Sequence, residues 1–271
     1  MTCKKNLHMF LKNMNISPVG FCAKHRDIRK ADDIMRHSNK CFPMFSPSYA
    51  ISHWNRFTQN TNQAELERTT FFNKYSKMLD EKVRNKYIND DDSYHLNLFE
   101  PLKKEKMGNC KENAIALIAT LFANGYEKAA RIGLEYEINF VDKKTKKVAS
   151  TSVFNFDHTC VMTTMDNKEK RKKFEDLIII DGWLQKAMPM QEARKMYLNI
   201  VSDYEKNIIR KEAVDKFKKE NINNPNFNLD DYEMKEAIEF GYNDKYTKEQ
   251  AQEFGKLISE KYPELKLDCI I

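Results

Sequence analysis

Apolar positions recur along the chain with two different periods. Over 63–88, Leu66, Phe71, Phe72, Tyr75, Leu79, Val83 and Tyr87 fall near helical spacing and predict one helix, closed by the Asn-Asp run at 89–92. A second helix is predicted to open at Cys110. Asn109 is a good N-cap, Glu112 stands three residues on in the capping-box position, and Ala114, Ile115, Leu117, Ile118, Leu121 and Phe122 form a broad apolar face up to the stop signal Asn124-Gly125. The period then falls to two. Residues 130–141 alternate like a strand, DKKTKK makes a charged turn, and β-branched and aromatic residues return from 148, which predicts a hairpin. After a basic turn at 166–173, the run Leu177, Ile178, Ile179, Ile180 reads as a buried strand ending in Asp181.

Beyond Pro189 the pattern turns charged and helix-favouring. It predicts helix over about 190–220, a helix over 229–242 capped near Asp230, and a last one over 247–262 with Thr247 and Gln250 as its capping pair. The Asn-rich segment 221–228 reads as a linker. Residues 1–60 keep no sustained period, and Pro18, Pro43 and Pro47 limit helices there. The expected organisation is a poorly readable region 1–62, a core 63–189, and a helical region 190–271 suited to recognising a substrate. The fold class is α+β: the helix from Cys110 packed on an antiparallel sheet, with further helices and a helical C-terminal third.

Composition narrows the classes. With 41% hydrophobic and 32% charged residues, and 17 Phe and 12 Tyr spread over 271 positions, the chain is expected to fold rather than stay disordered. A net charge of +6 from 46 basic and 40 acidic residues is too diluted for a polyanion-binding surface, so nucleic acid is not the expected partner. No stretch approaches the roughly 20 apolar residues of a membrane span, and the first residues are not followed by the apolar region of a signal peptide. A soluble product of the cytoplasm is expected. Six cysteines scattered at wide intervals suit reduced thiols better than a disulfide framework.

Three of the predicted core elements begin or end with residues that nucleophilic catalysis requires: Cys110, His158 and Asp181. A cysteine at a helix N-terminus meets the positive end of the helix dipole and unpaired N–H groups, both of which favour the thiolate. An imidazole beside it stabilises that thiolate and later protonates a leaving amine, while a carboxylate holds the imidazole in the useful tautomer. The Cys110 N–H is a candidate oxyanion donor. If His158 points at the thiol, strand alternation puts Phe156 and Cys160 on the same side. Trp183 shares the side of Asp181 if that strand continues, where its indole would shield the His–Asp bond from water. Taken singly, each residue has a blander reading as core filler or cap; their order and setting point to chemistry.

The blocks GNCKENA opening a helix, FDHTCVM in a strand and IIIDGWL at a strand end resemble the Cys, His and Asp blocks of the papain-like and transglutaminase-like cysteine enzyme superfamily. The resemblance spans about 107–186 and is nearest to bacterial secreted effectors that act as proteases, glutamine deamidases or transglutaminases. It implies Cys110 as nucleophile, His158 as general base and acid, Asp181 as orienting residue, no cofactor, and a protein substrate in a host cell reached without a classical signal peptide. Lys111 and Gly182 stand where such enzymes often carry a small residue and a proline. Gln59, Gln63 and Asn109 are equal candidates for a side-chain oxyanion donor.

A second cluster, Cys22, His25, His37 and Cys41, has the local spacing of a zinc site. Its unusual ligand order favours capping and packing of a helix instead. The rival class for the whole chain is a non-catalytic helical binding module carrying a degenerate triad.

Overall fold

The structure, a computed structural model, describes residues 25–44, 62–86, 95–165 and 177–267. Its centre is a five-stranded antiparallel sheet in the order β4-β3-β2-β1-β5. The strands are β1 Ala129–Asp142, β2 Val148–Thr163, β3 Ile178–Asp181, β4 Lys186–Pro189 and β5 Tyr232–Lys245. Helices cover both faces. On one side lie α1 (His25–Cys41), α2 (Asn62–Lys82), α3 (Phe99–Glu105), α4 (Cys110–Ala123) and α7 (Lys248–Lys261). On the other lie α5 (Met190–Ile200) and α6 (Asp203–Glu220). The mixture of helix and antiparallel sheet is the expected α+β class.

Pleat alternation divides the core in two. Even-numbered residues of β1, from Ala130 to Phe140, face α5 and α6 together with Cys160, Met162, Ile238 and Phe240. That half is rich in aromatics, with Phe140 stacked on Phe217 at 4.2 Å between centroids. In the opposite half Val161, Ile178 and Ile180 face α4, whose Ala114 to Phe122 are all buried, and Phe42, Phe99, Phe254 and Tyr262 form an aromatic cluster beyond them. α4 has no solvent face over those nine residues, which is why its apolar run is nearly continuous rather than amphipathic.

Two expectations are corrected. The predicted helix 229–242 is strand β5 after a short 3₁₀ turn at Leu229–Asp231, so the C-terminal third is not wholly helical. β5 pairs with β1 from Asp142↔Tyr232 to Ala130↔Lys245 and completes the sheet. Its Glu, Lys and Met residues favour helix locally, but Ile238, Phe240 and Tyr242 recur at a period of two, and burial against the sheet overrides propensity. Within 1–62, where proline was expected to limit helices, α1 is a 17-residue helix that stops just before Pro43. The helices at 190–220 and 247–262 form, the first split at Ser202 into α5 and α6. The turn expected at 166–173 lies outside the described residues.

Candidate active site

α4 is positioned before it begins. Gly108 donates its N–H to the Tyr75 hydroxyl of α2 at 3.2 Å, and a Cβ there would meet Met44 Sδ at 2.5 Å. Asn109, the N-cap, donates its N–H to Glu112 at 2.9 Å, while its carbonyl accepts from Asn113 Nδ2 at 3.0 Å. Glu112 is fully buried and takes two bonds from Arg84, at 2.8 and 3.3 Å. Burial would raise the Glu112 pKa, but the Arg84 guanidinium and the two backbone N–H groups hold it below the ordinary carboxylate value. The first turn bearing Cys110 is therefore tied to the 3₁₀ turn Arg84–Lys86 beyond α2 through an ion pair on a buried carboxylate.

The sheet reaches this turn at the end of β3. Gly182 packs against the helix one and two turns in, where a Cβ would stand 3.0 Å from Leu117 and 3.4 Å from Asn113. Glycine thus fits the close approach of strand end to helix. Asp181, just before it, is fully buried. Its Oδ1 accepts the N–H groups of Trp183 (2.9 Å) and Leu184 (3.0 Å), and its Oδ2 accepts from His158 Nε2 (2.7 Å) and from the Tyr197 hydroxyl (2.5 Å). Four donors fix both carboxylate oxygens.

His158 comes from an irregular part of β2. Gly133 pairs with Thr159 but Leu134 pairs with Phe156, so Asp157 and His158 are extra residues on β2 with no partner on β1. Bulges of this kind re-aim side chains. The imidazole lies 5.1 Å from the Trp183 indole and 5.7 Å from the Tyr197 ring, centroid to centroid, and is 14% exposed. Its Nε2 is engaged by Asp181, which leaves Nδ1 as the nitrogen available to the nearby Cys110 side chain. Burial works against the imidazolium, but Asp181 and then Cys110 outweigh it and bring the His158 pKa up to about 10. The ring is positively charged at neutral pH.

The structure thus brings Cys110, His158 and Asp181 together, with Trp183 over the imidazole from the turn after β3. Cys160 lies on the same sheet face as Asp181 and is fully buried. Gln59 and the side chain of Gln63 lie outside the described residues. Sequence reasoning missed Tyr197, although Met190, Ala193 and Tyr197 mark the buried stripe of α5 at helical spacing. It also missed Arg84 and Tyr75, whose roles depend on long-range packing.

The described residues of the candidate zinc set are not all brought together. α1 is continuous from His25 to Cys41, so about 18 Å of helix axis separates His25 from His37, and both cannot reach one ion. His37 and Cys41 instead converge on the Glu264 carbonyl, at 2.7 and 3.3 Å. Cys22 lies outside the described residues, among which no group of three or more His, Cys, Asp or Glu could hold a metal. Nor is any described helix long and apolar enough to cross a membrane.

Comparison of the chain with protein-family models, with curated proteins and with solved structures returns no match.

Proposed function

We propose that the chain is a thiol-dependent acyl-transfer enzyme acting on protein amides, and that its reaction is deamidation or crosslinking of glutamine in a host protein, as in a bacterial effector. The observation that carries this reading is the 2.7 Å bond from His158 to a buried Asp181, with the other face of the imidazole turned to a cysteine that opens a buried helix. The resemblance of the three blocks to papain-like and transglutaminase-like effector enzymes supports glutamine as the reacting group.

In this mechanism the Cys110 thiolate, paired with the His158 imidazolium, adds to the carbonyl carbon of a carboxamide. The Cys110 N–H receives the oxyanion that forms. The C–N bond then breaks as His158 gives its proton to the departing ammonia, leaving a thioester. Water adds next, His158 takes its proton, and the thiolate departs to leave glutamate. If a lysine amine adds instead, the product is an isopeptide crosslink. Attack on a backbone amide would follow the same steps and give proteolysis.

Alkylation by iodoacetamide, resolved by peptide mass spectrometry at pH 6.5, tests the machinery without a known substrate. Cys110 is expected to react at least tenfold faster in the wild type than in His158→Ala, with the other cysteines as internal references. Equal rates in the two proteins would return the chain to the binding-module reading. Incubation with a glutamine-rich protein and a labelled alkylamine then separates the chemistries: label uptake means crosslinking, ammonia release with conversion of glutamine to glutamate and no label means deamidation, and new fragments without ammonia mean proteolysis. Each is expected to vanish in Cys110→Ala.

A further inference from the structure

Asp181 receives one more hydrogen bond than is needed to hold an imidazole. The two backbone donors, Trp183 and Leu184, belong to the turn that follows Asp181 and fix Oδ1 locally. Oδ2, the oxygen that holds His158, is shared with a side chain from another element, the Tyr197 hydroxyl of α5. Tyr197 is 4% exposed, its ring packs edge-on against Phe240 at 6.3 Å, and its other side lies against the His158 ring. The Cys160 side chain lies close to the same hydroxyl. A buried phenol placed on the very oxygen that an imidazole uses competes with that imidazole for negative charge.

We propose that Tyr197 is a positioning residue of the site, which holds Asp181 in register and moderates its grip on His158 so that the imidazolium can release its proton in each catalytic cycle. This inference rests on the acyl-transfer reading above. Burial first, with Cys160 and Asp181 adding to it, keeps the phenol far above its ordinary pKa, so Tyr197 remains a donor throughout the working range. A purely structural tyrosine would fill the space between α5 and β5 equally well without its oxygen. The oxygen itself is therefore the subject of the test.

Tyr197→Phe removes that oxygen alone. The His158 ring is followed by nitrogen NMR titration of labelled protein, and the thermal melt is recorded beside it. Without the competing donor the carboxylate holds the imidazolium more tightly, and the His158 titration is expected to move upward by at least half a unit, about threefold in proton affinity. The converse variant places 3,5-difluorotyrosine at 197, a more acidic phenol of nearly the same size that preserves the packing. It is expected to move the titration downward, and it supplies the measurement if Tyr197→Phe does not fold. A His158 titration unmoved by the fluorinated phenol, or moved in the same direction by both changes, overturns the proposal whatever happens to the melt. The direction of the NMR shift does not require Cys110 to be a nucleophile, so loss of the acyl-transfer reading would show separately, as equal alkylation in wild type and His158→Ala.

Discussion

α4, α6 and α7 all start from a capping box: Asn109 with Glu112, Ser202 with Glu205, and Thr247 with Gln250. At α6 and α7 the reciprocal bonds form in solvent, between 2.9 and 3.2 Å, and the side chains meet nothing else that anchors them. At α4 the same spacing of residues is sunk into the interior. Glu112 is fully buried, and Arg84 reaches over from beyond α2 to bind both its oxygens. A short motif that elsewhere only ends a helix here fixes the helix's position and direction as well. The difference falls at the one helix start that carries Cys110.

The comparison can be broken hardest at Glu112. Glu112→Ala removes the cap and leaves the part-buried Arg84 guanidinium with Asp80 in place of Glu112, and is expected to cost about 2–4 kcal/mol in chemical denaturation. A pH titration of stability sharpens the same point. The folded Glu112 pKa lies below the unfolded value of about 4.3, so its contribution is complete above that pH and is lost as pH falls through the folded value. Glu112→Gln should therefore flatten the acid limb of the stability curve.

The second buried ionised pair, His158 with Asp181, should behave in the opposite sense. The folded His158 pKa, about 10, lies above the unfolded value of about 6.5. Its contribution is complete below pH 6.5 and is lost as pH rises towards 10, because unfolding then releases a proton. His158→Gln is expected to abolish that alkaline decline. Smallest of all are the exposed caps: Thr247→Ala should cost about 1 kcal/mol and Ser202→Ala between about 0.5 and 1, read from the shift in denaturation midpoint.

Much of α4 and its neighbours was legible because the determinants are local. Asn109, Glu112 and the run to Phe122 specify a helix within 15 residues, and the alternation of β1 and β2 specifies strands that bury one face. Cys110 and Asp181 stood out because each sits at the boundary of such an element, and His158 as a histidine inside the predicted strand between them. What escaped depends on partners far away in the chain. β5 carries helix-favouring residues and becomes a strand because β1 offers a full ladder of hydrogen bonds. Ala31, Ile34 and Met35 of α1 look unremarkable until α4 and β3 cover them. Tyr197 reads as core from its spacing, and only the fold shows that its oxygen meets a carboxylate.

Two of the three irregularities beside β1, those next to Ile132 and Leu134, illustrate arithmetic as much as geometry. On the β5 side, Ile132 pairs with Tyr242 and Arg131 with Asp244, so Asn243 is a single surplus residue. An odd insertion reverses the alternation, and it turns Asp244 to the α4 side, where it meets Arg131 at 2.6 Å. On the β2 side the surplus is two, Asp157 and His158, and an even insertion leaves the alternation in phase: Phe156 and Cys160 share a face across it. The histidine is thus carried in a parenthesis that the strand opens and closes without changing its meaning on either side. Excising both residues would rejoin the hairpin with every flanking side chain still on its proper face, yielding the same scaffold without the His158–Asp181 pair. Excising one would turn half the strand inside out.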